Sequence, residues 1–314
     1  MDIFAETVRP NDRLFFKSHD SNDQRLGDSV QRNPSEYEDS EVVVLGYPFD
    51  EGVKRNNGRV GARKAPTQIR QAFYKLTATA EFSALKIFDL GDTRICPTLE
   101  EMHDLHSQIV YQVLNDGKRL MVIGGGNDLS YPDCAGLSKA HKNLLAFNID
   151  SHFDVREAEL PNSGTPYRQL LEQEIIQADR FYEMANKPFC NSPVYERYLN
   201  ETGVHIFRLE AMRERGINQL FKKILAEDNS EAIFWGLDID SVRTADAPGV
   251  SATYPIGLTA DEICRIARIA GADERSKILE LSEVNPEYDR DGQTARLAAI
   301  IIFNFMYELG KQYC

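Results

Sequence analysis

Asp150, His152 and Asp154 stand at alternate positions just after an apolar run, in the segment Leu-Leu-Ala-Phe-Asn-Ile-Asp-Ser-His-Phe-Asp-Val-Arg (144–156). The apolar half reads as a strand buried on both faces. Strand alternation then turns the three polar side chains toward one spot beyond the strand end. Two carboxylates and an imidazole gathered there repel unless a cation sits between them. Oxygen donors with a single imidazole and no thiolate suit a hard to borderline divalent metal such as manganese. Taken alone, one Asp-x-His-x-Asp motif is equally compatible with a solvated strand end. A second run, Ala-Ile-Phe-Trp-Gly-Leu-Asp-Ile-Asp (232–240), repeats the pattern and adds Asp238 and Asp240. Four close carboxylates cannot all stay ionised in a partly dry cleft. Two divalent cations would balance them and could activate water for attack on a polarised carbon.

For these groups to meet, strands must end along a common edge. Strands are expected at Glu41–Gly46, Leu85–Gly91, Arg119–Gly124, from Leu144, and at Arg180–Met184, Val204–Leu209, Ala232–Asp240 and Lys277–Val284. Helices are expected from Pro66 to about Leu76, and over Leu99–Asn115, Tyr131–Lys142, Ala211–Glu227, Leu258–Ala270 and Gln293–Leu309. This alternation predicts an α/β fold with about eight parallel strands and helices on both faces. In such folds the site lies beyond the carboxyl ends of the strands, where every acidic or glycine-rich motif falls. Among these are Gly-Gly-Gly-Asn (124–127), whose glycines let the backbone turn and approach a ligand, and residues 47–62, read as a long strand-to-helix loop. Residues 1–40 read as a polar N-terminal arm packed on the surface, and 41–314 as a single domain.

Composition agrees with that class and narrows the partners. The chain has 314 residues, 42% hydrophobic and 27% charged, as in an ordinary globular protein. A net charge of −13 argues against nucleic acid. No apolar run reaches the ~18 residues that cross a bilayer. Five scattered cysteines without a C-x-x-C pair fit reduced thiols, and the first residues lack the order of a secretory signal. A cytoplasmic location is the expectation.

Four motifs together resemble the arginase/agmatinase superfamily of ureohydrolases: Gly-Gly-Gly-Asn (124–127), Asp-Ser-His-Phe-Asp (150–154), Asp-Ile-Asp with Ala-Pro-Gly-Val-Ser (238–251), and Glu-Val-Asn-Pro (283–286). Further stretches, residues 49–62, His-Phe-Asp-Val-Arg (152–156), Ser-Gly-Thr-Pro-Tyr (163–167) and 289–296, are similar to its formiminoglutamase group. The resemblance implies a three-layer arginase fold, a dimanganese site, a trimer or hexamer, and hydrolysis of N-formimino-L-glutamate to L-glutamate and formamide. It also implies that Asp150 and Asp238 bridge both metals, that His152 and Asp240 complete one shell, and that Asp154 serves the other and relays a proton. Asn127 stands where the family places a histidine ligand. An amide oxygen is the weaker donor, so the metal beside Asn127 is expected to bind weakly. Glu283 matches the family residue that faces the cationic amidine. Arg156, with Arg59 and Arg168 behind it, is expected to grip the carboxylates of the small-molecule substrate, and Tyr167 is set at the place of a catalytic histidine in arginase-like members. The alternatives are another amidino- or guanidino-acid hydrolase and a non-catalytic homologue with an eroded metal site.

Overall fold

The computed structural model describes residues 1–20 and 22–314. Among them the chain builds one nine-stranded sheet from β1 (Thr7–Val8), β2 (Val42–Gly46), β3 (Ile87–Thr93), β4 (Arg119–Ile123), β5 (Leu144–Ile149), β6 (Phe181–Asn186), β7 (His205–Arg208), β8 (Ala232–Asp238) and β9 (Ser276–Ser282). The strand order is β1-β3-β2-β4-β9-β8-β5-β6-β7. All neighbours are parallel except β1, which pairs antiparallel with the edge of β3.

The strands read as continuous apolar runs because both faces are covered. In β2, Val42 and Val44 enter one core while Val43 and Leu45 enter the other. The helices are α1 (Leu26–Ser29), α2 (Glu51–Arg55), α3 (Ala65–Phe73), α4 (Ala80–Ala84), α5 (Leu99–Asn115), α6 (Ser130–Ala140), α7 (Pro166–Glu172), α8 (Pro193–Thr202), α9 (Leu209–Arg215), α10 (Ile217–Glu227), α11 (Ala260–Ala272) and α12 (Gln293–Gly310). Helices α3 and α9 to α12 bury their apolar stripes on the first face, and α5 to α8 on the second. Three layers result. On the first face Trp235 of β8 stacks on Phe147 of β5 at 4.3 Å between ring centroids, and its indole donates to Ser276 of β9 at 2.8 Å. The strands that carry the acidic motifs are thereby fixed relative to one another.

The structure departs from the sequence expectation in several places. The sheet has a ninth strand, β1, drawn from the N-terminal arm. That arm is seated deeper than a surface layer: Phe15, Leu26 and Val30 enter one core, and Ile3 and Tyr37 the other. Residues 47–62 are not all loop, since α2 lies within them and a 3-10 turn (Ala62–Lys64) starts at their last residue. The helix expected over Ala211–Glu227 is two helices, broken at Gly216, whose φ of 76° lies outside the range an L-residue adopts without strain.

Candidate metal centre

Four adjacent strands, β4, β9, β8 and β5, supply the candidate residues from their carboxyl ends. After β4 the three glycines lead to Asn127, which opens a 3-10 turn. A Cβ on Gly125 would overlap the carbonyl oxygen of Phe49, so the close approach of these two loops requires glycine there. Asp238 closes β8, and a turn over Ile239–Ser241 carries Asp240. Strand alternation does not bring Asp150, His152 and Asp154 together: β5 ends at Ile149, and the three lie on the irregular segment beyond it. Asp154 has φ 47° and Glu283, just past β9, has φ 64°. Both are non-glycine residues in the left-handed region, where strain marks a backbone bent to aim a side chain.

The five candidate ligands gather in two overlapping groups, and Asp238, expected to bridge like Asp150, belongs to one of them only. Ligand atoms of Asp150, His152 and Asp154 lie within 4.8 Å of one another, and so do those of Asp150, Asp238 and Asp240. Asp150 belongs to both groups, as a bridging carboxylate must. Its Oδ1 accepts from the His152 backbone N–H at 2.8 Å, and Asp238 Oδ1 accepts from that of Asp240 at 2.7 Å. The imidazole Nδ1 of His152 lies 3.1 Å from Asp240 Oδ2 and 3.5 Å from Asp150 Oδ1.

Without a cation this cluster is electrostatically frustrated. Burial, then the charge of Asp240, pushes Asp150 up to about 6. Asp154 and Asp238 lie well above the ordinary carboxylate range, again through burial first and neighbouring carboxylates second. Burial also acts to raise Asp240, but the charge of His152 outweighs it and holds Asp240 below its usual value. Asp240 Oδ1 is buried without a hydrogen-bond partner, a costly arrangement for an acceptor unless an ion completes it. An oxygen-rich set with one imidazole, excess negative charge and an orphaned carboxylate oxygen fits a divalent cation.

Asn127 stands at the expected position with an unexpected face. Its amide nitrogen donates to Asp154 Oδ2 at 2.6 Å and to Asp150 Oδ2 at 3.4 Å, while its oxygen is turned away toward Ser282 and Ser130. In this arrangement it donates to the candidate ligands and turns no oxygen toward them. Glu283 accepts from the Asn127 backbone N–H at 2.9 Å and from the hydroxyl of Ser251, and burial pushes it up to about 8.

The three arginines part company. Arg156 is exposed, two residues past Asp154, and its guanidinium has no hydrogen-bond partner among the described residues. Arg59 donates to the carbonyls of Ser251 (2.9 Å) and Val250 (2.5 Å) and lies over the Tyr288 ring, so it holds the loop that places Ser251 on Glu283. Arg168 pairs with Glu172 at 2.8 Å along α7 and lies over Tyr198. Tyr167 does not face the cluster. It is fully buried, stacks on Phe181, and donates to Ser130 at 3.1 Å, because the first turn of α7 directs it inward.

Lys187 was not anticipated from the sequence. Its ammonium, 2% exposed, donates to Ser151 Oγ at 2.6 Å, and Ser151 donates in turn to the carbonyl of Asp240 at 2.8 Å. This ties together the loops after β5, β6 and β8. A lysine directly after an apolar strand, on the edge where the acids fall, was the available signal.

Comparison with known proteins places the chain among relatives. Residues 40–307 match the arginase family. A formimidoylglutamase of Staphylococcus carnosus is 30% identical over 272 residues, spanning 84% of this chain and 85% of its own. One from Macrococcus caseolyticus is 31% identical over 283 residues, spanning 84% and 83%. A crystal structure of Trypanosoma cruzi formiminoglutamase with Mn2+ superposes with a TM-score of 0.86 at 32% identity, covering 92% of this chain and 99% of that one.

Proposed function

The chain belongs to the arginase family, and on that premise we propose that it hydrolyses N-formimino-L-glutamate to L-glutamate and formamide with manganese. The observation that carries the reading is the pair of acid groups sharing Asp150 at the end of β5. Asp150, His152, Asp154, Asp238 and Asp240 would hold the metal. When bound, manganese lowers the pKa of water and polarises the carbon under attack.

The chain's own residues supply the rest. Glu283, at the end of β9, faces the cationic amidine. Arg156 takes a substrate carboxylate: its guanidinium has no hydrogen-bond partner among the described residues, whereas Arg59 and Arg168 each hold partners of their own. Water adds its oxygen to the formimino carbon, the bond from that carbon to the glutamate nitrogen breaks, and formamide leaves. Asp154 passes the water's proton to the departing amine, as a carboxylate within reach of both can. Two metals per chain, with weak binding beside Asn127, a trimer or hexamer and a cytoplasmic location complete the reading. No helix among the described residues is long and apolar enough to cross a membrane.

The test is formamide release from N-formimino-L-glutamate by purified protein with added manganese, alongside arginine and agmatine as competing substrates. Turnover of the formimino substrate alone is expected. Turnover confined to a guanidino compound, or none with the metal bound, would overturn the proposal.

A further inference from the structure

Every hydrogen-bonding site of the Asn127 side chain has a partner in this structure, and those partners decide which way the amide faces. Its two N–H groups point to Asp154 and Asp150. Its carbonyl is approached by Ser282 Oγ at 2.8 Å and by Ser130 Oγ at 3.2 Å, and all three residues are buried. Ser130 has one hydroxyl hydrogen and a closer acceptor, Glu280 Oε1 at 2.8 Å, while Tyr167 donates to its oxygen. The Ser282 hydroxyl has no other side-chain partner among the described residues. Its neighbour Glu283 holds the Asn127 backbone N–H at 2.9 Å. Residues 282 and 283 therefore grip Asn127 twice, once by main chain and once by side chain.

We propose that Ser282 is a positioning residue that clamps Asn127 as a hydrogen-bond donor to Asp154 and Asp150, and so keeps the metal position between those carboxylates weak. The proposal rests on the manganese reading above and adds a cause to it. The amide's two N–H groups take up lone pairs of Asp154 Oδ2 and Asp150 Oδ2 that are then not offered to a cation, and its oxygen cannot turn toward a metal while Ser282 donates to it. Removing the hydroxyl frees that oxygen. With a cation present the amide can rotate and add a neutral ligand, whereas in the metal-free protein the carboxylates still favour the nitrogen.

The experiment is calorimetric titration of the metal-free full chain with manganese chloride, with low-temperature electron paramagnetic resonance to follow pairing of the ions. Ser282→Ala should bind the weaker equivalent on the order of tenfold more tightly than the parent, within the range that partners of metal ligands command. Ser282→Thr, which keeps the hydroxyl, should match the parent. In an Asn127→Asp background, where either carboxylate oxygen can face the metal, Ser282→Ala should change affinity less than about twofold. Ser282→Cys, of similar volume and a weak donor, decides by the same criterion should the alanine variant not fold. Unchanged or weaker binding in the variant lacking the hydroxyl overturns the clamp, and so does equal tightening by alanine and threonine. A parent that binds no manganese overturns the metal reading together with this proposal. A parent that binds while Ser282→Ala matches it overturns the clamp alone.

Discussion

The Arg156 guanidinium, two residues past the half-buried Asp154 and without a hydrogen-bond partner among the described residues, is open to an incoming anion. Arg156→Ala should raise KM for N-formimino-L-glutamate roughly tenfold or more, the worth of a lost charge-assisted pair, and leave manganese content unchanged. Unaltered KM would move the carboxylate site elsewhere. Asn127→His replaces a donor with an imidazole lone pair, so metal analysis after dialysis should rise from near one manganese per chain toward two; equal stoichiometry would show that this position is not the weak point. At this scale the acids were legible because Asp and His recur two apart after two separate apolar runs. The facing of Asn127 was not legible, since it is set by Ser282, which lies 155 residues away in the chain. Arg59 and Arg168 sit on the right edge, but sequence carries no sign that their donors are already taken.

The elements were legible where burial on both faces wrote continuous apolar runs, as in β2, β5 and β8, and where caps were explicit. Thr98 and Glu101 form a capping box that starts α5 at Leu99, as read from sequence. The strand β1 is two residues within a polar arm, too short to show any period. The break between α9 and α10 is hidden because apolar spacing continues across it, and only Gly216 signals the turn. Its φ of 76° with ψ of 120° makes any side chain costly. Gly216→Ala should destabilise the fold by about 1–3 kcal/mol, read as a lower urea midpoint with unchanged slope. Manganese affinity should stay the same, because no candidate ligand lies on either helix. An unshifted midpoint would mean that the two helices can rejoin without cost.

For the molecule as a whole, net charge argued against nucleic acid but said nothing about how the acid cluster governs stability. In the metal-free chain the folded state holds protons more tightly than the unfolded state, at about 6 against 3.8 for Asp150 and about 8 against 4.5 for Glu283. Groups raised in this way stabilise the fold below their unfolded values, and that contribution is lost as pH rises through the folded ones. Bound manganese reverses the sign, since it needs ionised ligands and stabilises by mass action. The Tm difference between manganese-loaded and chelated protein should therefore widen from about pH 5 to about pH 8, measured by calorimetry in each buffer. A constant or shrinking gap would detach the cluster from the metal. The sheet order has a consequence of another kind. Strand β9, last of the nine to leave a ribosome, lies between β4 and β8. Until residue 282 has been made, β4 and β8 both lack the partner that lies between them, and each is an apolar central strand left as an edge. Such edges invite pairing with other chains, and the pairings that close the sheet span long sequence separations, which slows folding. Synthesis halted before β9 thus leaves sticky fragments in place of a weaker enzyme, and shelter during translation matters more here than in a protein whose strands pair in the order they emerge.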